Sequence, residues 1–147
     1  MIERVKQGII DKLYELYGDK YDYVDHDIEQ GFDNSTFVIK CEKLDKTKYL
    51  DIRYNNNHLM SISFFPKKQD YKDIESELSE VRESIWQALE YIDITDNEVT
   101  IPARGILESE AVSDNVLVMA VSYDMATIIK STEDISMDNL EVRQWKQ

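Results

Sequence analysis

The chain has 147 residues, with 30 acidic and 17 basic side chains and a formal net charge of -13. That length is one domain's worth and buries enough surface to fold without disulfides or a structural metal. The charge argues against duplex DNA or an anionic membrane as partner, since both are held by Lys and Arg; the 42% hydrophobic content argues against disorder, and four Gly with two Pro against a collagen-like chain.

Residues 2–17 read as a helix. Ile2, Val5, Ile9, Leu13, Leu16 and Tyr17 recur at three- and four-residue steps, and Gly18 stands at the C′ position. Gly8 inside this helix costs about 1 kcal/mol against Ala, which a close packing contact explains. Residues 21–29 suggest a strand on the rim of a sheet, and Gln30 to Asn34 a turn. Three strands follow over residues 35–43, 47–54 and 58–65, with Asn55-Asn56-Asn57 as a hairpin turn and Pro66 as a stop. Residues 70–92 form the longest predicted helix. Ile74, Leu78, Val81, Ile85, Leu89 and Ile92 make its apolar stripe, and Asp70 is its N-cap. Residues 98–110 and 116–130 read as a long hairpin turning on Ser113-Asp114-Asn115, and Pro102 places its first arm at an edge or a bulge. Residues 131–147 are polar, and are expected to be a short helix or a tail that orders on a partner.

The order α-β-β-β-β-α-β-β, with short turns between adjacent strands, predicts an α+β fold. It is a mainly antiparallel sheet with two packed helices, one domain over residues 1–130 and a C-terminal tail. The single Cys41 fits a reducing compartment. The opening MIERVKQGII lacks the apolar core of a signal peptide, and no stretch approaches the ~20 apolar residues of a membrane span. The expected location is therefore the cytoplasm.

Catalysis needs convergent groups, and the sequence offers few. Asp25-His26-Asp27 places a His between two acids, but neighbours on a strand point to opposite faces. His58 beside three Asn reads as a turn residue, and Cys41 as a buried core thiol. No CxxC or HxxxH spacing supports a zinc site, and no Gly-rich loop supports a nucleotide. No catalytic residue, metal or cofactor is expected.

Charge is unevenly placed. Residues 69–98 hold ten acids against Lys72 and Arg82, a net of -8. A solvated helix face is the simple explanation. Lys40, Lys43, Lys46, Lys48 and Arg53 cluster on the second and third predicted strands. A basic patch and an acidic helix on one small domain suggest head-to-tail contacts between copies.

Residues 28–66 carry a more specific pattern. Glu29-Gln30-Gly31-Phe32 is followed by Tyr49, Leu50, Arg53 and Tyr54, then by Phe64-Phe65-Pro66. This order, with Trp86–Ile92 and Val121–Asp124, resembles the tail terminator (tail completion) proteins of phages and phage-tail-like bacteriocins of Gram-positive bacteria. The resemblance implies a structural protein, not an enzyme. It would form a ring, usually hexameric, on the head-proximal end of the tail tube, stop tube growth and present a surface to the head. Its implied partners are itself, the tube protein, and sheath and head-connector proteins, with DNA passing through without specific binding. It would be built in the host cytoplasm and end in the particle. Gln30, Gly31, Phe32, Lys48, Arg53, Tyr54, Phe64, Phe65 and Pro66 are the interface residues expected under this resemblance. The alternative from charge and size alone is an acidic inhibitory binder, a DNA mimic or immunity-type protein.

Overall fold

A computed structural model describes residues 2–26, 33–50, 53–67, 70–96 and 98–128. The chain opens with α1 (Ile2–Tyr17), whose buried face is Val5, Gly8, Ile9 and Leu13. Gly8 lies where a Cβ would stand 2.7 Å from the Asp93 carbonyl oxygen, so the helix needs glycine there to approach the backbone. α1 stops at Gly18, whose φ of 62° reverses the chain into a 3₁₀ turn over Gly18–Lys20.

Six strands follow or interleave the helices: β1 (Asp22–Val24), β2 (Thr36–Leu50), β3 (Arg53–Phe65), β4 (Tyr91–Asp96), β5 (Val99–Ser113) and β6 (Val116–Ile128). They form one sheet in the order β1-β2-β3-β6-β5-β4. Among the described residues only the β1–β2 pair is parallel, and the other four pairs are antiparallel. Between β3 and β4 lie α2 (Tyr71–Ser84) and the short α3 (Trp86–Leu89). The predicted α+β class, with a mainly antiparallel sheet carrying packed helices, holds.

Alternation decides which sheet face is covered. Phe37 and Ile39 of β2, Met60, Ile62 and Phe64 of β3, and Leu117, Met119, Val121 and Tyr123 of β6 are buried. They join Val5, Ile9 and Leu13 of α1 and Leu78, Val81 and Leu89 of α2 and α3 in one core. The intervening residues Ser61, Ser63 and Ala120 point to the other face and are half-buried, and Val118 is exposed.

Three boundaries differ from the sequence reading. Asn55-Asn56-Asn57 is not a turn. β3 runs through it, paired with β2 on one side and β6 on the other, and the chain reverses between Leu50 and Arg53 instead. The Asn57 amide donates to Ser122 Oγ at 2.6 Å, so ladder and side-chain bonds hold the segment extended. The helix expected over 70–92 breaks at Ile85 and ends at Leu89; Ile92 and Ile94 are buried on β4 while Tyr91, Asp93 and Thr95 are exposed, a period of two rather than 3.6. The rim strand expected over 21–29 narrows to Asp22–Val24, with Asp25 and His26 in a bend and residues 27–29 outside the described residues. Asp70 does cap α2, its carboxylate accepting from the Lys72 N–H at 3.0 Å. The β5–β6 turn uses Asp114 and Asn115 at φ 52° and 64°, the two positive values of a primed hairpin turn.

β5 changes partner at Gly105. Val99–Arg104 pairs with β4, and Gly105–Ser113 pairs with β6. The Gly105 N–H donates to the Glu90 carbonyl at 2.7 Å. A Cβ at Gly105 would lie 2.6 Å from the Leu89 carbonyl oxygen. Pro102 falls in the stretch paired on one side only, as its missing donor requires.

Candidate assembly surfaces

The interface residues expected from the sequence divide by location. Gln30, Gly31 and Phe32 lie outside the described residues. Arg53 opens β3, its backbone in register with Leu50 and Ile128. Lys48 pairs with Tyr54 across the β2–β3 ladder, so their side chains leave the same face. The Lys48 ammonium lies 6.0 Å from the Tyr54 ring centroid and that of Lys46 5.7 Å. Each contact is worth about 0.5–1 kcal/mol at an exposed site. Lys43 pairs with Asp45 at 3.5 Å. Residues Lys43–Lys48 of β2 thus form an exposed basic arm, with Leu44 among the lysines.

The Phe64-Phe65-Pro66 corner lies at the other end of β3. Phe64 is interior, its ring 4.7 Å from Phe37 and 5.0 Å from Tyr21 by centroid. Phe65 and Pro66 are half-buried. The corner is tied to α2: Ser35 Oγ donates to the buried Glu77 carboxylate at 3.1 Å and accepts the Lys67 N–H at 2.9 Å. Around it, Tyr17 and Tyr23 stack against Phe37, and Tyr21 meets the same ring edge-on. Burial pushes the Tyr23 phenol up to about 12.

His58 corrects its sequence reading. It is fully buried in mid-β3, opposite Tyr123, rather than in a turn. Among the described residues, neither ring nitrogen has a hydrogen-bond partner. Burial holds its pKa below the usual histidine value, with the Tyr123 and Asn56 backbone pulling weakly the other way. Tyr123 donates its hydroxyl to the Leu89 carbonyl at 2.6 Å, and burial raises its pKa. The alternation Tyr54, Asn56, His58, Met60, Ile62, Phe64 was the available signal for a strand; the Asn run hid it. Cys41 is half-buried at the core margin, its thiol 3.6 Å from the Lys43 carbonyl oxygen, rather than fully buried. His26 Nδ1 lies 3.1 Å from Asp25 Oδ1, and both are exposed; this bond holds the Asp25 carboxyl below its usual range. Among the described residues, no three His, Cys, Asp or Glu side chains converge on a point that would hold a metal.

Sequence reasoning missed the state of β5. Five of its large apolar side chains, Val99, Ile101, Ile106, Leu107 and Val112, are exposed. α2 lies beside its second half, with Arg82 bonded to Glu110. The outward side of α2 presents Asp73, Glu75, Glu80 and Glu83. The surface is thus basic at one side of the sheet, and apolar and acidic near the other.

No curated protein matches the chain in sequence. Among solved structures, a chain from the virion of a native gene transfer agent particle superposes with a TM-score of 0.52 at 10% identity, covering 82% of this chain and 91% of that one. That likeness is one of fold. The profile of the phage tail terminator protein family matches residues 4–135. This match spans nearly all of α1, both later helices and every strand described above, so the chain belongs to the phage tail terminator family and its role is structural, in tail assembly.

Proposed function

We propose that this chain caps the head-proximal end of a tail tube as a closed ring, ends tube growth and forms the surface to which the head joins. The observation that carries this reading is the family match over residues 4–135. The separation of charge supports it: unlike patches on one subunit favour heterologous contacts, and such contacts close into a ring when their rotation permits. The partners are further copies of the chain, the tube protein, the head connector and, in a contractile tail, the sheath. The subunit is made in the host cytoplasm and becomes part of the particle. The net charge of -13 suits a ring through which DNA passes without adhering. Lys48, Arg53 and Tyr54 at the basic arm, with Gln30, Gly31 and Phe32, are the side chains proposed to meet a neighbour or the tube. Phe64 acts from inside by fixing the corner at Phe65 and Pro66.

Tails made in a strain lacking the chain test this directly. Electron micrographs should show tubes well beyond normal length, without attached heads. Tubes of normal length in that strain would remove the reading.

A further inference from the structure

Besides β1, β4 and the Val99–Arg104 half of β5, three stretches of strand have a partner on one side only among the described residues. They are β2 beyond Val38, β5 from Ile106 to Ser113, and β6 from Asp124 to Ile128. An unpaired strand edge is a row of backbone donors and acceptors, and folded chains normally blunt it with charge, bulges or cover. Both longer edges here carry a bulge, between Cys41 and Lys43 on β2 and between Leu107 and Ser109 on β5. Yet Ile106, Leu107, Val112 and Leu44 beside them are all at least 40% exposed. An edge built only to repel partners would not hold four aliphatic side chains in water.

The two edges differ in sign. From Lys40 to Lys48, β2 has four lysines against Glu42 and Asp45. From Ile106 to Ser113, β5 has Glu108 and Glu110 and no base of its own; Arg82 of α2 pairs with Glu110, which leaves Glu108 as the unneutralised charge of the strand, with Glu75 and Lys72 of α2 beside Val112. Self-pairing of either edge about a two-fold axis would set like charges together. Pairing one edge with the other sets unlike charges together. Strand direction agrees. β2, β3, β6 and β5 are successively antiparallel, so β2 and β5 run in opposite directions. A second copy that continues the sheet therefore presents its β2 antiparallel to the first copy's β5, the pairing that main-chain hydrogen bonds favour.

We propose that the free edge of β2 in one copy pairs with the free edge of β5 in the next, so that the sheets of successive copies join into one. The contact is heterologous, with Leu44 meeting the Ile106–Val112 apolar row and the lysines meeting Glu108 and Glu75 of α2. It rests on the ring reading above and names the surfaces that make the ring.

Cross-linking in assembled tails tests the pairing. In a Cys41→Ser background, Lys43→Cys and Glu108→Cys are introduced singly and together; both positions are exposed. Purified tails are treated with a short bis-maleimide and run under denaturing conditions. The chain with both cysteines should give a ladder extending beyond dimer, and each single-cysteine chain should stay monomeric. Dimers from a single-cysteine chain, or a monomer from the double one, would overturn the pairing. Charge reversal gives a second readout. Lys43→Glu and Glu108→Lys should each lengthen tails, and the chain carrying both should restore a defined length; no restoration, with all three melting like the parent, would also overturn it. The deletion strain separates the two ideas. A missing ladder on tails whose length the chain still controls leaves the terminator reading standing, whereas normal tubes in the deletion strain remove that reading itself.

Discussion

His58 sits fully buried against Tyr123, and protonating it in the folded chain puts a charge into the core. Its folded pKa lies below the ordinary 6.5, because burial favours the neutral ring. The sign of the linkage follows. Above the unfolded value both states are neutral and stability is full. As pH falls below it, the unfolded chain takes up a proton that the folded chain refuses, and stability is lost. One such group contributes a slope of at most about 1.4 kcal/mol per pH unit. Melting temperature followed from pH 7.5 down to about pH 5 should therefore fall, and His58→Met should flatten that fall while preserving side-chain volume. An unchanged slope in the variant would assign the loss to carboxylates instead. The residue also shows what a sequence hides. Next to three Asn, a His reads as turn, because those residue types favour turns; that β3 is flanked on both sides by strands is a tertiary fact no local pattern carries.

Among the elements, the close approaches are set by two glycines. Gly8→Ala gains about 1 kcal/mol in helix propensity but drives a methyl to 2.7 Å from the Asp93 carbonyl oxygen. Overpacking of this kind costs about 1–3 kcal/mol, so the net change is a loss. Gly105→Ala meets the Leu89 carbonyl oxygen at 2.6 Å, Tyr123 Cε1 at 2.8 Å and Val121 Cγ1 at 2.9 Å, and should destabilise more. Thermal melts of the two variants should rank Gly105→Ala below Gly8→Ala, and both below the parent. The Gly8 contact was legible from sequence, since a glycine inside an otherwise regular stripe needs a reason. The Gly105 contact was not, because its neighbours come from α3 and β6. The apolar stripe from Ile74 to Ile92 shows a similar limit. Its residues are buried or half-buried, as read, but Ile92 keeps the helical spacing while belonging to a strand, since 3.6 and 2 coincide over so short an interval.

At the scale of the molecule, charge acts twice with opposite sign. The acids gathered on α2 repel one another within a subunit, while the proposed joint sets the lysines of β2 against the acids of a neighbour. Raising salt from about 50 to about 500 mM screens both. The free subunit should melt higher, by about 2–4 °C for each kcal/mol of repulsion relieved. Assembly should weaken over the same range, which cross-linking yield at each salt concentration measures. A ring that strengthens with salt would mean that apolar contact dominates the joint. The charge layout was legible at once, and so was the class of sheet. The geometry of the surfaces was not, because an edge is defined by which strand is absent beside it, and only the assembled sheet shows that.

The change of partners along β5 has a mechanical side. Val99–Arg104 is laced to β4 and Gly105–Ser113 to β6, so the two ladders are offset along one strand instead of lying back to back. A load drawn across the sheet from β4 to β6 has no straight line of hydrogen bonds to follow. It must turn at Gly105 and travel lengthwise through covalent backbone before it leaves by the second ladder. β5 is in this sense a tie bar between two fabrics, and the backbone about Gly105 is the joint through which one is fastened to the other.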